Sequence, residues 1–426
     1  HLCRTQIEEF QRLAGQGSEL LVACTQEAPL FLETLDEMGE DAPATQFINI
    51  REKAGWSKDA SGKSSRKTDM TAKMAALLAE AALDLEAATS VTMISGGVLL
   101  VIGNDDRALE AAKKVASRLD VTVVLEPGSG VQPPALMDVP VFTGRVTQAE
   151  GHLGQFQVTI EAFQAASASS RVSLNFDGTG ETGTSVCDLI LDLRGGTPLF
   201  PAPEKRDGYF NPDPGNPALI GDALLQLTDM GGEFDKPQYI DYDESICAHS
   251  SAGITGCTRC IDHCPTGAIT PDTVNERVSL DPYICAGCGT CASVCPTGAA
   301  KYTLPAGDGL YQRLRTVLRT YLAAGGKKAK APQILVHDQG FGSEMIDAMA
   351  RGGGGLPANM LPFALNQVTQ VGLDFLLSAA AYGAERVLVL VGPAQADEKA
   401  GLESEIALAE AVLDGLGYGK ERFAIV

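Results

Sequence analysis

The chain has 426 residues, of which 45% are apolar, a composition typical of a globular protein with about two to four domains. Its 33 basic and 54 acidic residues give a net charge of −21, so we expect no binding to nucleic acid or anionic lipid, and the acidic surface favours a basic partner or simply solubility. No apolar run approaches the length of about 18 residues that a membrane span needs, and residues 1–5 lack the pattern of a signal peptide.

The first predicted elements alternate between strand and helix. Residues 18–26 and 46–50 are short apolar stretches of the kind that forms strands. Residues 70–88 are rich in alanine and leucine, which favours a helix. The N-terminal region is therefore expected to be α/β.

A strand–helix–strand unit follows. The continuous apolar run at 97–103 is typical of a buried parallel strand, and a helix at 105–119 and a strand at 121–125 come next. In a dinucleotide-binding fold the loop after the first strand holds a pyrophosphate and needs glycines for close approach. Here that loop contains Asp105 and Asp106, which repel phosphate, so we expect no FAD at this place.

Strand and helix patterns continue through the rest of the chain. A hairpin is predicted at 141–160, a strand at 189–193 and a long connection rich in proline and glycine at 195–231. A helix at 310–322 and a Gly/Lys linker at 325–331 lead into a second α/β region. Its predicted strands are 333–337, 386–391 and 423–426, and its predicted helices are 366–380 and 401–416.

Eight of the eleven cysteines lie between Cys247 and Cys295. They form two copies of one motif, CTRCIDHCPTGA at 257–268 and CGTCASVCPTGA at 288–299, and Cys285 extends the second copy to the CxxCxxCxxxCP run of bacterial ferredoxins. In two-cluster ferredoxins the first three cysteines of the run ligate one [4Fe–4S] cluster and the fourth ligates the other. The spacing therefore predicts two [4Fe–4S] clusters.

The two-cluster pattern assigns four cysteines to each cluster. One predicted ligand set is Cys247, Cys257, Cys260 and Cys295, and the other is Cys264, Cys285, Cys288 and Cys291. In the first copy Ile254 stands where the second copy has its first cysteine, so Cys247 has to reach the cluster through an enlarged loop at 248–256. The alternatives are His249 or Asp262 as the fourth ligand, or a three-iron cluster. Paired CxxC motifs also suit zinc, but zinc sites do not usually carry duplicated triple cysteines followed by Cys-Pro.

The other cysteines are Cys3, Cys24 and Cys187, and their scatter indicates a reducing compartment, so we expect a cytoplasmic protein. Cys3 and Cys24 are either small buried hydrophobes or part of a further site that residues upstream complete. Cys187 precedes a strand and is expected in a core. Three other residues have expected roles other than ligation or electron transfer: His263 faces solvent or forms a hydrogen bond, His337 is a structural histidine with its hydrogen bonds satisfied, and Trp56 lies in the core.

Three segments resemble the A subunit of heterodisulfide reductase. VACTQEAPLF at 22–31, NIREKAGW at 49–56 and GHLGQFQVTI at 151–160 are similar to segments of that family, and the cysteine motifs follow in the same order. The resemblance implies a flavin-dependent reductase with an FAD-binding Rossmann strand at the predicted strand–helix–strand unit. The glycines that the family uses to bind FAD are absent here, which argues against bound FAD.

The C-terminal region resembles the delta subunit of methyl-viologen-reducing hydrogenase. The similar pieces are 334–336, 361–363 and 372–392. That family ligates a [2Fe–2S] cluster with cysteines, but the matching stretches here are HDQGFG at 337–342 and GPAQAD at 392–397. The resemblance therefore implies the fold of that subunit without its cluster.

Together these patterns predict a multidomain α/β protein with a Rossmann-like N-terminal part, an inserted α+β ferredoxin domain with two clusters, and a C-terminal α/β domain. The predicted divisions are residues 1–90 (reductase-like α/β region), 91–235 (degenerate Rossmann-like region with the hairpin and connection), 236–305 (ferredoxin domain), 306–332 (helix and linker) and 333–426 (hydrogenase-like domain).

The expected function follows from what the chain has and lacks. It contains no Ser-His-Asp pattern, HExxH motif or P-loop, so it has no evident substrate chemistry of its own. We expect an electron-transfer protein or oxidoreductase subunit that relays single electrons between a redox enzyme and a partner. The alternatives are an accessory, assembly or sensor protein for a metal-containing oxidoreductase, and a flavin-dependent disulfide reductase subunit.

Overall fold

The chain divides into two compact units. The middle unit comprises residues 89–287, and the terminal unit comprises residues 1–88 and 288–426. Both units combine helices with β-sheets, so the protein is a multidomain α/β protein. The computed structural model describes residues 2–39, 42–57, 70–252, 256–393, 395 and 399–426.

The middle unit is built on a seven-stranded sheet. Its strands, in spatial order, are Tyr209–Phe210, Leu189–Asp192, Val98–Gly103, Asp120–Leu125, Val141–Glu150, Phe156–Ala166 and Phe176–Cys187. The first five strands are parallel, and the last two pair antiparallel. Leu99 and Val101 enter one apolar core while Leu100 and Ile102 enter another, as the continuous apolar run predicts for a strand covered on both faces.

The predicted strand–helix–strand order is confirmed. The helix runs over Asp106–Val115, between two parallel strands of the sheet. Asp105 caps this helix, because its carboxylate accepts a hydrogen bond from the backbone N–H of Arg107 at 3.0 Å. The acidic residue in the loop therefore has a local structural role.

The connection predicted at 195–231 contains a helix that the sequence prediction missed. It spans Pro217–Thr228, and the side chain of Asn216 accepts hydrogen bonds from two backbone N–H groups of its first turn. Proline at the first helical position supports this start. Ile220, Leu224 and Leu227 pack into the same core as Leu99, so the high proline and glycine content of the segment concealed a core helix.

The cysteine-bearing part of the middle unit consists of short elements. An antiparallel pair, Ser90–Ser95 with Gly232–Pro237, precedes it. Its elements are the strand Ile240–Tyr242, a 3₁₀ turn at Ser250–Ala252, the helix Arg259–Asp262 and the hairpin strands Ile269–Asp272 and Arg277–Leu280. Residues 253–255 of the loop predicted at 248–256 lie outside the described residues.

The terminal unit is built on a four-stranded parallel sheet. Its strands, in spatial order, are Met360–Leu365, Gln333–Asp338, Arg386–Val389 and Phe423–Ile425. A smaller parallel pair joins Leu20–Val22 to Thr45–Phe47, and Ala300–Tyr302 is a further strand. The described helices are Leu2–Thr5, Ile7–Ala14, Ala28–Asp36, Arg51–Gly55 (a π-helix), Thr71–Ala81, Thr290–Ser293, Gly309–Gly325, Gly326–Lys328 (3₁₀), Phe341–Gly352, Val368–Gln370 (3₁₀), Leu373–Ala381 and Lys399–Gly415.

N-terminal residues pack directly on the C-terminal sheet region. Ala72 and Ala76 of the helix Thr71–Ala81 enter one core with Leu314 and Leu318. The predicted helix at 70–88 is thus present but ends at Ala81.

The predicted helix at 366–380 begins later than expected. The chain first makes the 3₁₀ turn Val368–Gln370, and the helix then spans Leu373–Ala381. Among the described residues, no helix combines the length and the apolar character needed to cross a bilayer.

Candidate metal centre

Cys247 and Cys260 of the middle unit lie beside the phenol of Tyr242. Burial acts to raise the pKa of the Cys247 thiol, but N–H groups of Ser250 and His249 and the hydroxyls of Tyr242 and Ser250 point at its sulfur and hold that pKa below its ordinary value. Burial and the neighbouring sulfurs of Cys247 and Cys260 raise the pKa of the Tyr242 phenol. The phenol therefore keeps its proton and donates a hydrogen bond to the sulfur of Cys247. Hydrogen bonds of this kind favour the thiolate form that ligates iron.

The two residues that could replace Cys247 as a ligand already have local partners. His249 is 2% exposed, and its Nδ1 donates to the carbonyl of Cys257 at 3.1 Å. Asp262 accepts a hydrogen bond from the hydroxyl of Thr258 at 2.7 Å. Both side chains thus stabilise the first motif copy in the described conformation.

Cys264 and Cys285 form a second neighbourhood in the middle unit. Burial raises the pKa of the Cys285 thiol, and the nearby sulfur of Cys264 raises it further, while the N–H of Gly287 and the ammonium of Lys236 lower it. Lys236 is fixed there because it donates to the carbonyl of Tyr283 at 3.0 Å. The last cysteine of the first copy therefore lies near Cys285.

The terminal unit carries the remaining motif cysteines on and around the helix Thr290–Ser293. Cys291 is 7% exposed, and Cys288 is fixed because the Thr369 hydroxyl donates to its carbonyl. Cys295 lies 3.8 Å from the hydroxyl of Thr297. The first copy has the same arrangement, with 3.7 Å between the Cys264 sulfur and the Thr266 hydroxyl.

The donor set fits an iron–sulfur cluster. The motif cysteines are buried or half-buried free thiols, and N–H and O–H groups point at several of their sulfurs. Hydrogen bonds to sulfur and limited solvent exposure are the features with which proteins tune such clusters. Within the described ranges, no three Cys, His, Asp or Glu side chains group in the way that a single metal ion requires.

The scattered cysteines lie in apolar surroundings. Cys187 is 2% exposed within the core that contains Leu100, and burial raises the pKa of its thiol to about 12, so the predicted core position is confirmed. Cys3 and Cys24 are partly buried against an apolar cluster that contains Phe10.

Of the three residues with expected roles other than ligation, the prediction for His263 is confirmed and the prediction for His337 is confirmed in part. His263 is exposed and bonds through Nδ1 to the carbonyl of Arg259 at 2.9 Å. His337 is fully buried and donates from Nδ1 to the carbonyl of Asp338 at 2.7 Å, but within the described residues its buried Nε2 has no hydrogen-bond partner, so its hydrogen bonding is not satisfied as expected. The prediction for Trp56 was wrong, because its side chain is 43% exposed. The guanidinium of Arg51 covers its ring, with 4.5 Å between the guanidinium carbon and the ring centroid.

Three residues around the cysteines were not predicted from sequence. Tyr242 and Lys236 contact the cysteine neighbourhoods of the middle unit, and Thr369 fixes Cys288 from a position 81 residues away in the chain. Only the closeness of Tyr242 to Cys247 in sequence could have drawn attention to it. Thr369 carries no local signal, since its role depends on tertiary packing.

Comparison with known proteins agrees with the cysteine pattern. A family model described as a 4Fe-4S dicluster domain matches residues 255–299, a segment that contains seven of the eight predicted ligands and omits Cys247. No curated protein matches the chain. The protein therefore carries a 4Fe–4S dicluster domain and is an iron–sulfur protein.

Proposed function

We propose that the protein relays single electrons through two [4Fe–4S] clusters, between a redox enzyme and a partner protein. The supporting observation is the grouping of cysteines in the middle unit, where Cys247 and Cys260 share the phenol of Tyr242 whereas Cys264 lies near Cys285. A ferredoxin motif that serves two clusters requires this separation, because its last cysteine ligates a different cluster from its first ones.

The proposed ligand sets are those of the two-cluster pattern. One set is Cys247, Cys257, Cys260 and Cys295, and the other is Cys264, Cys285, Cys288 and Cys291. When bound, the clusters supply one-electron redox chemistry. The chain supplies hydrogen-bond donors to the thiolates, notably Tyr242, Ser250 and Gly287, and a positive charge, Lys236, that offsets the negative charge near Cys285.

The resemblances noted in the sequence support a place in a larger redox assembly. In this proposal the regions flanking residues 236–305 are docking modules that descend from reductase-like and hydrogenase-like domains. The capping of the helix Asp106–Val115 by Asp105 is consistent with a loop that no longer holds a flavin phosphate. The protein would then act as an oxidoreductase subunit.

The iron content and its redox behaviour test the relay. The whole chain, purified without oxygen, should contain about eight irons, four for each cluster. Dithionite should bleach its visible absorption, and an oxidised acceptor protein should restore it. Clusters that no physiological donor can reduce would contradict a relay and favour a structural or sensor role, and FAD in the purified protein would favour the reductase.

A single substitution tests the ligand with the weakest sequence support. Cys247→Ala should reduce the iron content from about eight to about four per chain, since one cluster loses a ligand. Cys187→Ala is the matched control and should retain the full content because Cys187 lies in an apolar core. Full iron in Cys247→Ala would mean that Cys247 is not a ligand, and about seven irons in the unmodified protein would indicate a three-iron cluster.

A further inference from the structure

One segment of this acidic chain is strongly basic. Between Asp308 and Asp338 the sequence has no Asp or Glu and six Lys or Arg residues, although the whole chain has a net charge of −21. The basic residues are Arg313, Arg315, Arg319, Lys327, Lys328 and Lys330. Such a local reversal of sign creates a patch that attracts anionic surfaces.

The helix Gly309–Gly325 uses its arginines in two ways. Arg313 is largely buried and pairs with Glu80 at 2.7 Å, so it stabilises the packing of the terminal unit. Arg315 and Arg319, one turn apart, are exposed. Among the residues that the structure describes, neither guanidinium has an ion-pair or hydrogen-bond partner. Two unpaired charges therefore project from one face of this helix.

These two arginines line a groove of about 1000 Å³ in the terminal unit. The groove lies between the helices Gly309–Gly325 and Leu373–Ala381 and is also lined by Tyr311, Ser378 and Tyr382 and by the carboxylate of Asp308. We call this surface the arginine groove. Its two arginines and the hydroxyls of Ser378 and Tyr382 can donate hydrogen bonds to an anionic partner, whereas the hydroxyl of Tyr311 already donates to Asp374.

The helix Leu373–Ala381, which forms one wall of the arginine groove, begins beside the segment that carries the second cysteine motif. A Cβ at Gly372 would lie 2.7 Å from the carbonyl oxygen of Ser293, so the start of the helix Leu373–Ala381 touches the chain between Cys291 and Cys295. Tyr311, at the near end of the groove, donates to Asp374. Ser378 follows Gly372 by six residues, which is about 9 Å along a helix.

We propose that the arginine groove is the docking surface for an acidic one-electron carrier protein. This inference rests on the proposed relay function and names the chemistry of its partner. One electron passes between a cluster of this protein and the carrier, so that one is oxidised and the other reduced, and no bond forms or breaks. The rest of the acidic surface repels such a carrier, which leaves the groove as the favoured place of encounter.

A charge-reversal pair tests the proposal against a matched control. Arg315→Glu with Arg319→Glu changes the net charge by −4, and Lys113→Glu with Lys114→Glu makes the same change on exposed lysines of the helix Asp106–Val115. The probes are a plant-type [2Fe–2S] ferredoxin, which is acidic, and cytochrome c, which is basic. Calorimetry gives the Kd of each complex, and stopped-flow absorbance gives the rate constant of electron exchange.

The arginine variant should bind the acidic ferredoxin at least about tenfold more weakly at low ionic strength and exchange electrons with it about tenfold more slowly. The lysine variant should differ from the unmodified protein by less than about twofold, since neither lysine lines the groove. Cytochrome c should not be slowed by either variant. The difference between the variants should shrink as salt is added.

Three outcomes would overturn the proposal. Equal losses in both variants would assign the effect to net charge, and no loss in the arginine variant would exclude the groove. A dimer of the unmodified protein that dissociates in the arginine variant would make a second copy of this chain the occupant. In each of these cases the relay function would still be supported if the unmodified protein exchanges electrons with a carrier. If the unmodified protein exchanges electrons with neither carrier, the relay function itself is contradicted.

Discussion

The two copies of the cysteine motif have nearly the same sequence but different surroundings. In the first copy the helix Arg259–Asp262 has no buried residue. In the second copy the equivalent helix, Thr290–Ser293, buries three of its four residues, including Cys291. The same local sequence pattern therefore folds in an exposed setting within the middle unit and in a packed setting within the terminal unit.

Different contacts hold the two copies. The first copy is held mainly by residues close to it in sequence, since His249 bonds to the Cys257 carbonyl and Thr258 bonds to Asp262, although Arg206 also donates to the Thr266 carbonyl from 60 residues away. The second copy is held by the C-terminal α/β region, where Thr369 bonds to the Cys288 carbonyl. The comparison implies that damage to the C-terminal region should affect the second copy first.

The largest predicted effect on stability is at Gly289, next to the second copy's packing contact with the C-terminal region. Gly289 has a φ of +81°, and a Cβ there would lie 2.6 Å from the Cβ of Gln370, whereas the first copy has Thr258 at the equivalent position. Gly289→Ala should lower the free energy of unfolding of the terminal unit by about 4 kcal/mol, through backbone strain and overpacking together. Urea unfolding followed by circular dichroism measures the loss.

Gly298 is the control for backbone strain alone. Its φ is +67°, and a Cβ there would meet nothing within 4 Å. Gly298→Ala should therefore cost only about 1 kcal/mol. If the two substitutions cost the same, the close packing of the second copy against Gln370 would not be what distinguishes it from the first.

The features that were predictable from sequence are those that local chemistry determines. The continuous apolar run at 97–103 became a parallel strand buried on both faces, as such runs usually do. The duplicated Cys-Pro motif indicated the dicluster domain because ligand spacing is set by the cluster itself. In both cases neighbouring residues carry the whole signal.

The features that were missed depend on contacts that are distant in sequence or on competing local signals. The helix Pro217–Thr228 has a good cap, but the density of proline and glycine around it favoured a connection. Trp56 was expected in the core but lies under Arg51 at the surface. Thr369 could not be linked to Cys288, because nothing in either local sequence reports the tertiary contact.

Acid should weaken the region that holds the second copy. Burial, aided by the nearby charge of Lys53, lowers the pKa of His337 from its ordinary 6.5 to about 4. The unfolded chain therefore takes up a proton at this residue more readily than the folded chain. The stability that His337 contributes is complete above about pH 6.5 and falls as the pH drops to 4, with a loss of about 3 kcal/mol.

Thermal unfolding between pH 4 and pH 7 measures this dependence. His337→Leu should flatten the decline of the terminal unit's melting temperature with falling pH, since the variant has no imidazole to protonate. Comparing the two proteins at each pH removes the acid lability of bound iron–sulfur clusters, which both proteins would share. If the melting temperature of the variant fell with pH as steeply as that of the unmodified protein, the acid sensitivity would come from groups other than His337. The region around the second copy would then be no more acid-sensitive than the region around the first.

The smallest predicted effect on stability compares a buried hydrogen bond of the second copy with an exposed hydrogen bond of the first. Thr369 is 2% exposed and donates to the Cys288 carbonyl from a distant part of the chain, whereas the hydroxyl of Thr258 donates to Asp262 near the surface. Thr369→Val should lower the free energy of unfolding by about 1.5 kcal/mol, because a buried hydrogen bond is lost without a replacement from water. Thr258→Val should cost about 0.5 kcal/mol, since water can replace its hydroxyl.

The rate at which an iron chelator removes iron gives a second measure of the same pair. Thr369→Val should speed the loss of about half of the iron, because it loosens the chain at Cys288, and Thr258→Val should change that rate little. Equal rates in the two variants would mean that the clusters, rather than the packing of the C-terminal region, keep the second copy folded. Cluster binding would then be the cause of the different surroundings of the two motif copies. Those surroundings would not themselves stabilise the bound clusters.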